Sequence, residues 1–433
     1  MATQDWSCDG LSALQLRLCR SKEDTASLQE GDQALVGQFS PTFVYPIFGE
    51  EETIFGYQGL SIDYRFTSGS LNQYLSISYT SKFPSTSSVV QADDPEKTLY
   101  EFIPPSYSKS LEEFEKIIEK DSQEFKPVGE LIGRYRMSRT DLKGKGKGTT
   151  SSGLPKRNWE TLPLNEPEKE GEEEEEEEVE YEAYWTNWET KGFKEFHRKA
   201  QIFVLLYIEG AQYIDEEDQR WEFVTLFEKR KRRGDGGEGY SYHFMGYVSF
   251  YSFFCWPDTK RLRLAQFVLL PPYHGKGHGS ALYDLCYQNL LKRTDISELT
   301  VEDPSETFED MRDKCDLYTL ISGGDLNDLK ILPKLDRGLT ESIRKKYKLA
   351  DRQFYRLVEM ILLLQLCSSS SSSTKDPAVE KAFRLIIKKR LYLFNKEQLL
   401  QIEDPEERKE KLQETFESVV EDYKRLTEKF SLG

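Results

Sequence analysis

The stretch that decides the fold is RLRLAQFVLLPPYHGKGHGSALYDLCYQ, residues 261–288. Its first ten residues alternate and then run apolar, which is the pattern of a strand. Pro271-Pro272 ends that run. From about Gly279 the sequence GSALYDLCYQNLLK has helical spacing. Gly275, Gly277 and Gly279 lie between the two. A glycine-rich turn between a strand and a helix has three uses: it can hold a nucleotide, hold coenzyme A, or simply reverse the chain. The spacing speaks against a nucleotide. A phosphate loop needs GxxxxGK followed by Ser or Thr, and a dinucleotide fingerprint needs GxGxxG with an acid about 20 residues on. The alternating glycines fit neither. The turn still suits a diphosphate, because glycines let the main chain approach closely and helix-start N–H groups face an anion. That attraction amounts to about 0.3–1 kcal/mol per interaction. On these residues alone, a plain tight turn stays open.

Working outward, residues 183–322 alternate in type. GFKEFHRKAQIFVLLY reads as one helix, and RWEFVTLFEK, YHFMGYVSFYSFF, RLRLAQFVLLPP and ISELTV read as strands. The run KRKRR from Lys229 reads as a solvated hairpin loop, with a nuclear signal as the alternative. Upstream, SIDYRFT and YLSISYT alternate as half-buried strands do. SLEEFEKIIEK places Leu111, Phe114, Ile117 and Ile118 on one helical face. Downstream, residues 323–433 show helical spacing throughout, interrupted by the serine tract Ser368–Ser373. The organisation expected is therefore α+β in four parts: a mixed α/β domain over 1–140, a disordered acidic insertion over 141–182, a central domain over 183–322 and a helical domain over 323–433.

Composition bounds the function. The chain has 433 residues, 37% of them hydrophobic, with 24 Tyr and 25 Phe, which is ample for a core. The formal net charge is -17, and twelve acids and one lysine between Glu166 and Glu182 contribute most of it. An acidic chain is a poor direct ligand for nucleic acid, whose phosphates dominate such affinity, and a plausible host for a basic peptide. Cys8, Cys19, Cys255, Cys286, Cys315 and Cys367 form no CxxC pair, which fits reduced thiols. With four histidines and no HExxH or Cys/His cluster, no metal is expected. The opening MATQDWSCDG has no signal-peptide pattern, and MILLLQLC is too short for a membrane span.

With strand, glycine turn and helix in place, residues 261–288 resemble the central motif of the GNAT acetyltransferases. In that family a Q/R-x-x-G-x-G/A loop binds the pyrophosphate of acetyl-CoA. Here the loop is His274-Gly275-Lys276-Gly277-His278-Gly279, with His where the family has Gln or Arg. More narrowly, IFGEEETIFGYQGL, EFKPVGEL, RWEFVTLFEK, GHGSALYD, VEDPSETFEDMRD and EDYKRL occur in the order seen in catalytic subunits of type B histone acetyltransferases. The chain is similar to that family over nearly its whole length, the acidic, serine and glycine-lysine tracts excepted.

The resemblance implies a GNAT fold with a twisted mixed sheet at 183–322 and a histone-binding first domain. It implies acetyl transfer from acetyl-CoA to lysines in the N-terminal tail of newly made histone H4, with H3 close by. A WD40-repeat histone chaperone subunit, a place in chromatin biology and residence in cytoplasm and nucleus are implied too, with no direct nucleic acid and no membrane. The chemistry has one main obstacle: a free lysine of pKa about 10.4 is neutral only about once in 2,500 at pH 7, so a base must take its proton. By resemblance that base is Glu302, with Asp303 and Glu209 completing a carboxylate group. Read on their own, these residues have plain uses: Glu302 as a strand-end acid, Asp303 as N-cap before Pro304 and Glu306, and Glu209 as a helix-terminal acid. Phe267, Val268 and Leu269 match positions whose main chain meets the acetyl and pantetheine arm, and Ser280 closes the coenzyme loop. Glu50, Glu51, Glu52, Trp221, Tyr251, Ser252 and Phe253 match tail-contacting positions. Asp215–Asp218 adds negative field with no assigned contact. A non-catalytic acyl-CoA-binding histone scaffold and a GNAT acting on other amines are the alternatives.

Overall fold

A computed structural model describes residues 6–84, 91–137, 150, 153–164, 179–232, 239–326, 337–369 and 377–432. The described chain is mixed α and β, with helices gathered toward the C-terminal end. It divides into two compact units built from interleaved segments. The first comprises Met1–Met137, Trp159–Ser252 and Leu264–Leu285; the second comprises Ser138–Asn158, Phe253–Arg263 and Cys286–Gly433.

The first unit has a small four-stranded sheet and a large one. In the small sheet the strands run in the order Gln38–Phe39, Leu14–Cys19, Ser61–Thr67, Gln73–Ser78. The central pair is parallel and the outer pairs antiparallel. Period-two burial explains it: Leu14, Leu16 and Leu18 face Ile62, Tyr64 and Phe66 in one core layer. Helix Leu111–Glu124 begins where the Ser110 hydroxyl accepts the Glu113 N–H, 3.3 Å away. Of the four apolar residues expected on its buried face, Phe114 is fully buried and stacks on Tyr74; Ile117 and Ile118 are half-buried and Leu111 is exposed in the first turn.

The large sheet orders its strands Trp159–Leu162, Glu130–Met137, Glu180–Asn187, Trp221–Lys231, Tyr240–Cys255 and Thr259–Leu269. Trp159–Leu162 and the start of Glu180–Asn187 fall inside the stretch 141–182, where the sequence suggested a disordered insertion. The glutamate run itself lies outside the described residues. The expected single helix over 192–207 is two, Phe193–Ala200 and Ile202–Tyr207, with a turn at Gln201 tightened by the Val204 N–H bonding Gln201 O at 3.1 Å.

The basic run at 229 is not a solvated loop at its start. Lys229 and Arg230 belong to strand Trp221–Lys231 and are buried. Lys229 meets Glu182 at 3.1 Å, Arg230 meets Asp32 at 2.9 Å, and Arg232 meets Glu23 at 3.2 Å. Composition concealed this, because the paired acids lie far away in sequence.

In the second unit the first residues of strand Thr259–Leu269 lie beside strand Ile296–Val301, with Arg261 paired to Glu298 at 2.7 Å. Beyond that strand the described elements of the unit are helices: Glu306–Gly323, Arg337–Lys346, Asp351–Ser369, Pro377–Phe394, Lys396–Gln401 and Pro405–Thr427. The apolar run from Met360 to Leu364 is buried, so it is core of this helical assembly. No helix among the described residues is long and apolar enough to cross a membrane.

Candidate functional site

The strand, turn and helix of residues 261–288 form as read. Burial alternates along the strand, with Leu264, Gln266, Val268 and Leu270 inward. Gly246 on the neighbouring strand lets this one come close: a Cβ there would sit 2.2 Å from the Val268 carbonyl oxygen. The Leu270 N–H donates to Met245 O at 2.8 Å. A single 3-10 turn, Pro271–Tyr273, follows, and the His274 ring lies 2.5 Å from Leu269 O. Gly275 and Gly277 then take φ of +72° and +91°, in the left-handed region that glycine tolerates. Helix His278–Lys292 begins one residue earlier than the sequence suggested. The amides of such a first turn are those a helix leaves to an outside partner, and the helix dipole favours an anion there.

The His278 ring, expected within the coenzyme loop, turns into the core. It lies 4.5 Å, centroid to centroid, from Tyr181, and its Nδ1 is 2.9 Å from the Tyr135 hydroxyl. Burial pushes its pKa down to about 4, so the imidazole is neutral at ordinary pH. On the other flank of the loop, the Tyr273 hydroxyl donates to Glu228 Oε2 at 2.9 Å and accepts from Arg20 Nη2 at 3.0 Å. Glu228 pairs with Arg20 at 2.7 Å and with Arg230. Burial alone would raise the Glu228 pKa; Arg20 and Arg230 outweigh it and hold the carboxyl well below its usual range.

Glu302 follows the last residue of strand Ile296–Val301 and is exposed, with Arg263 3.2 Å away. Asp303 does not cap the next helix. Its φ is +31°, and Ser305 is the N-cap, its hydroxyl accepting the Phe308 N–H at 3.3 Å. Pro304 therefore precedes the cap, and helix Glu306–Gly323 starts two residues later than expected. Glu302, Asp303 and Phe253 belong to the second unit, and the other expected site residues to the first.

Within the first unit, two of the expected groups come together. Glu52 turns its carboxylate onto the main chain of Val44 and Tyr45, at 2.7 and 3.0 Å, which leaves Glu50 and Glu51 as the exposed members of that acidic run. The Tyr45 hydroxyl accepts the N–H of Gly210, the residue after the exposed Glu209, at 2.7 Å. The acid loop and Glu209 are thus neighbours through Tyr45. Separately, Trp221 and Tyr251 are cross-strand partners with ring centroids 4.8 Å apart. The Tyr251 hydroxyl donates to Asp218 at 3.0 Å, and Ser252 donates to Glu222 at 3.3 Å. A hydrogen bond from Arg220 holds the Asp218 carboxyl below its usual range. Trp221 is half-buried, so one part of its ring packs while another remains available. Phe253 has the Arg263 guanidinium 4.6 Å from its ring centroid.

Sequence reasoning missed Asp218, Glu222, Tyr45, Tyr273, Arg20 and Glu228. Asp218 had a signal, being the last acid of the 215–218 run, which was given no contact, three residues before the first residue of a strand. Arg20 and Glu228 had none, because their partnership spans 208 residues. Among the described residues, no three His, Cys, Asp or Glu side chains gather as a metal site.

Comparison with known proteins decides the family. A family model for the "Histone acetyl transferase HAT1 N-terminus" matches residues 6–209, and one for "Fungal HAT1, C-terminal" matches residues 313–367. The histone acetyltransferase type B catalytic subunit of Cryptococcus neoformans is 46% identical over 98% of this chain and 97% of its own. The protein of the same name from Mycosarcoma maydis is 40% identical over 96% of this chain and 87% of its own. The chain belongs to the family of histone acetyltransferase type B catalytic subunits. As a member it is an enzyme of the acyltransferase class. The Candida albicans protein of this name is more distant, 31% identical over 90% of this chain and 84% of its own. Among solved structures, a ribosomal-protein-alanine N-acetyltransferase from Brucella melitensis covers 30% of this chain and 86% of its own, at 18% identity and a TM-score of 0.22, too slight a likeness to carry an argument.

Proposed function

We propose that this chain transfers acetyl from acetyl-CoA to the ε-amine of lysines in the N-terminal tail of newly synthesised histone H4, by direct attack in a ternary complex with Glu302 as general base. The observation that carries the reading is similarity over nearly the full chain to three histone acetyltransferase type B catalytic subunits. The glycine turn fits the coenzyme's diphosphate. A Cβ on Gly275 would meet nothing within 4 Å, so the main chain there is open to a ligand, and Gly275 and Gly277 bend it toward a helix start. His274, Gly275, Lys276, Gly277, Gly279 and Ser280 would hold the diphosphate, chiefly through main-chain amides, with His278 contributing its backbone alone. Acetyl-CoA supplies an activated thioester.

The chain's own residues supply the rest. Glu302 takes the ammonium proton, with Asp303 and Glu209 as further acids of the site. The main chain of Phe267, Val268 and Leu269 orients the acyl arm and offers an N–H to the carbonyl oxygen as charge builds on it. Glu50 and Glu51 attract the basic tail. Trp221, Tyr251 and Phe253 offer flat surface to it and Ser252 a hydroxyl, with Asp218 beside Tyr251 and Glu222 beside Ser252. A WD40-repeat histone chaperone, H3 alongside H4, and residence in cytoplasm and nucleus belong to the same reading.

Mass spectrometry of an H4 tail peptide with a blocked N-terminus, incubated with acetyl-CoA and the chain, tests this. One or more acetyl-lysines is the expected product. Coenzyme binding without transfer would replace the reading with a scaffold, and transfer only to free N-termini would replace it with another amine acetyltransferase. Glu302→Gln should bind coenzyme yet turn over at least about 100-fold more slowly; full activity would remove Glu302 as the base.

A further inference from the structure

The glycines of the loop cannot fix their own amides, although the His274 ring anchors the loop's first residue to Leu269 O. Two of the loop's residues, Gly275 and Gly277, have no side chain and sit in the left-handed region. A diphosphate cradle nonetheless works only when its donors are held to within about 0.5 Å. What holds them is visible at the two ends of the loop. Tyr273 precedes it and is 2% exposed; His278 ends it and is 1% exposed. Their ring centroids are 6.0 Å apart, so the four residues 274–277 span between two adjacent buried posts.

The Tyr273 post rests on charge. Its hydroxyl is shared between Glu228 and Arg20, which are 0% and 7% exposed. Arg20 lies just past strand Leu14–Cys19, and Glu228 in the second half of strand Trp221–Lys231. Arg230 and Asp32 extend the cluster. Buried ion pairs of this kind add little stability over an apolar core of equal volume, but they tolerate one geometry only. Glu228 presents two fixed oxygens and the Arg20 guanidinium a rigid fork, so the hydroxyl between them has one place to be.

We propose that Tyr273, clamped by the buried Arg20–Glu228 pair, is a positioning residue that sets the path of the glycine loop and thereby the affinity for the coenzyme diphosphate. The proposal rests on the coenzyme reading above and adds to it that an N-terminal arginine, far away in sequence, governs coenzyme binding. The loop amides make the contact, and the clamp acts through them.

Tyr273→Phe in the full-length chain tests this, because it removes one hydroxyl and keeps the ring. The matched control is Tyr423→Phe in the second unit. Tyr423 donates to the buried Glu359 at 2.8 Å, so the control loses a bond of the same kind within the other unit. The readouts are the dissociation constant for coenzyme A, the KM for acetyl-CoA, the kcat and the thermal midpoint. Tyr273→Phe should raise the dissociation constant and the KM together by about three- to tenfold, with a smaller change in kcat. Tyr423→Phe should lower the midpoint comparably and leave both binding constants at the wild-type value. Arg20→Lys, which keeps the charge and loses the fork, should fall on the Tyr273→Phe side. If Tyr273→Phe lowers the midpoint with wild-type binding constants, or if Tyr423→Phe weakens coenzyme binding equally, the clamp is only structural and the inference is overturned while the coenzyme reading stands. If the wild-type chain itself binds no coenzyme A, both are overturned.

Discussion

Gly246→Ala is a sharp probe of strand Thr259–Leu269, the strand proposed to meet the coenzyme. A Cβ built at Gly246 lies 2.2 Å from Val268 O and 2.9 Å from Leu269 Cα. Real Cβ contacts essentially never fall under 3.0 Å, so the carbonyl must retreat by at least 3.0 − 2.2 = 0.8 Å. Both neighbours are backbone, and no rotamer change relieves the contact. Gly246 does not have a positive φ, so lack of space is the whole effect. Overpacking of this kind costs about 1–3 kcal/mol. A change of 1 kcal/mol moves the thermal midpoint of a unit this size by roughly 2–4 °C. The strand that moves carries Phe267, Val268 and Leu269, whose main chain is proposed to meet the acyl arm. Thermal unfolding and steady-state kinetics should therefore both change, with a lower midpoint and a raised KM for acetyl-CoA or a lowered kcat. Gly275→Ala is the useful contrast: its Cβ meets nothing within 4 Å, and only the φ of +72° resists it. If Gly246→Ala unfolds with the wild-type midpoint and turns over with wild-type constants, the reasoning from close approach is wrong.

Two further outcomes follow from the site. Burial pushes His278 down to about 4, and His197 and His243 to about 3. The unfolded chain takes up these protons near pH 6.5, whereas the folded chain resists them, so this stability is complete above pH 6.5 and is lost as the pH falls toward 4. Between pH 7 and pH 5, His278 and His197 each remove about 2 kcal/mol. The depressed carboxyl of Glu228 adds losses only at lower pH. Urea midpoints at pH 7 and pH 5 measure the difference, and equal midpoints would contradict the burial of these rings. Trp221→Ala should raise the KM for a basic tail peptide by about three- to thirtyfold while leaving the KM for acetyl-CoA near wild type, and added salt should weaken peptide binding in both proteins. A peptide KM that ignores the substitution would remove Trp221 from the tail surface.

Much of the fold was legible because the responsible forces are local. Strands Ser61–Thr67, Trp221–Lys231, Thr259–Leu269 and Ile296–Val301 announce themselves by alternation or apolar runs, and the last helices by three-four spacing. The helix cap after strand Ile296–Val301 was misread because Asp303 and Ser305 are both good caps, and φ of +31° at Asp303 follows from the path of the chain. The basic run at 229 was misread for a related reason: five charges in a row look solvated until Glu182, Asp32 and Glu23 arrive from elsewhere.

The amino-acid order by itself determined the strand, the glycine turn and the helix of residues 261–288, because φ freedom, proline stops and apolar spacing act over a few bonds. It also carried the family, since blocks of residues in order need no coordinates to be compared. Only the tertiary structure decided that His278 faces the core, that Glu52 caps a turn beside Glu209, and that Arg20 and Glu228 grip Tyr273 across 208 residues of chain. Those pairings depend on which buried charges find each other when water is excluded, and no local pattern records that choice.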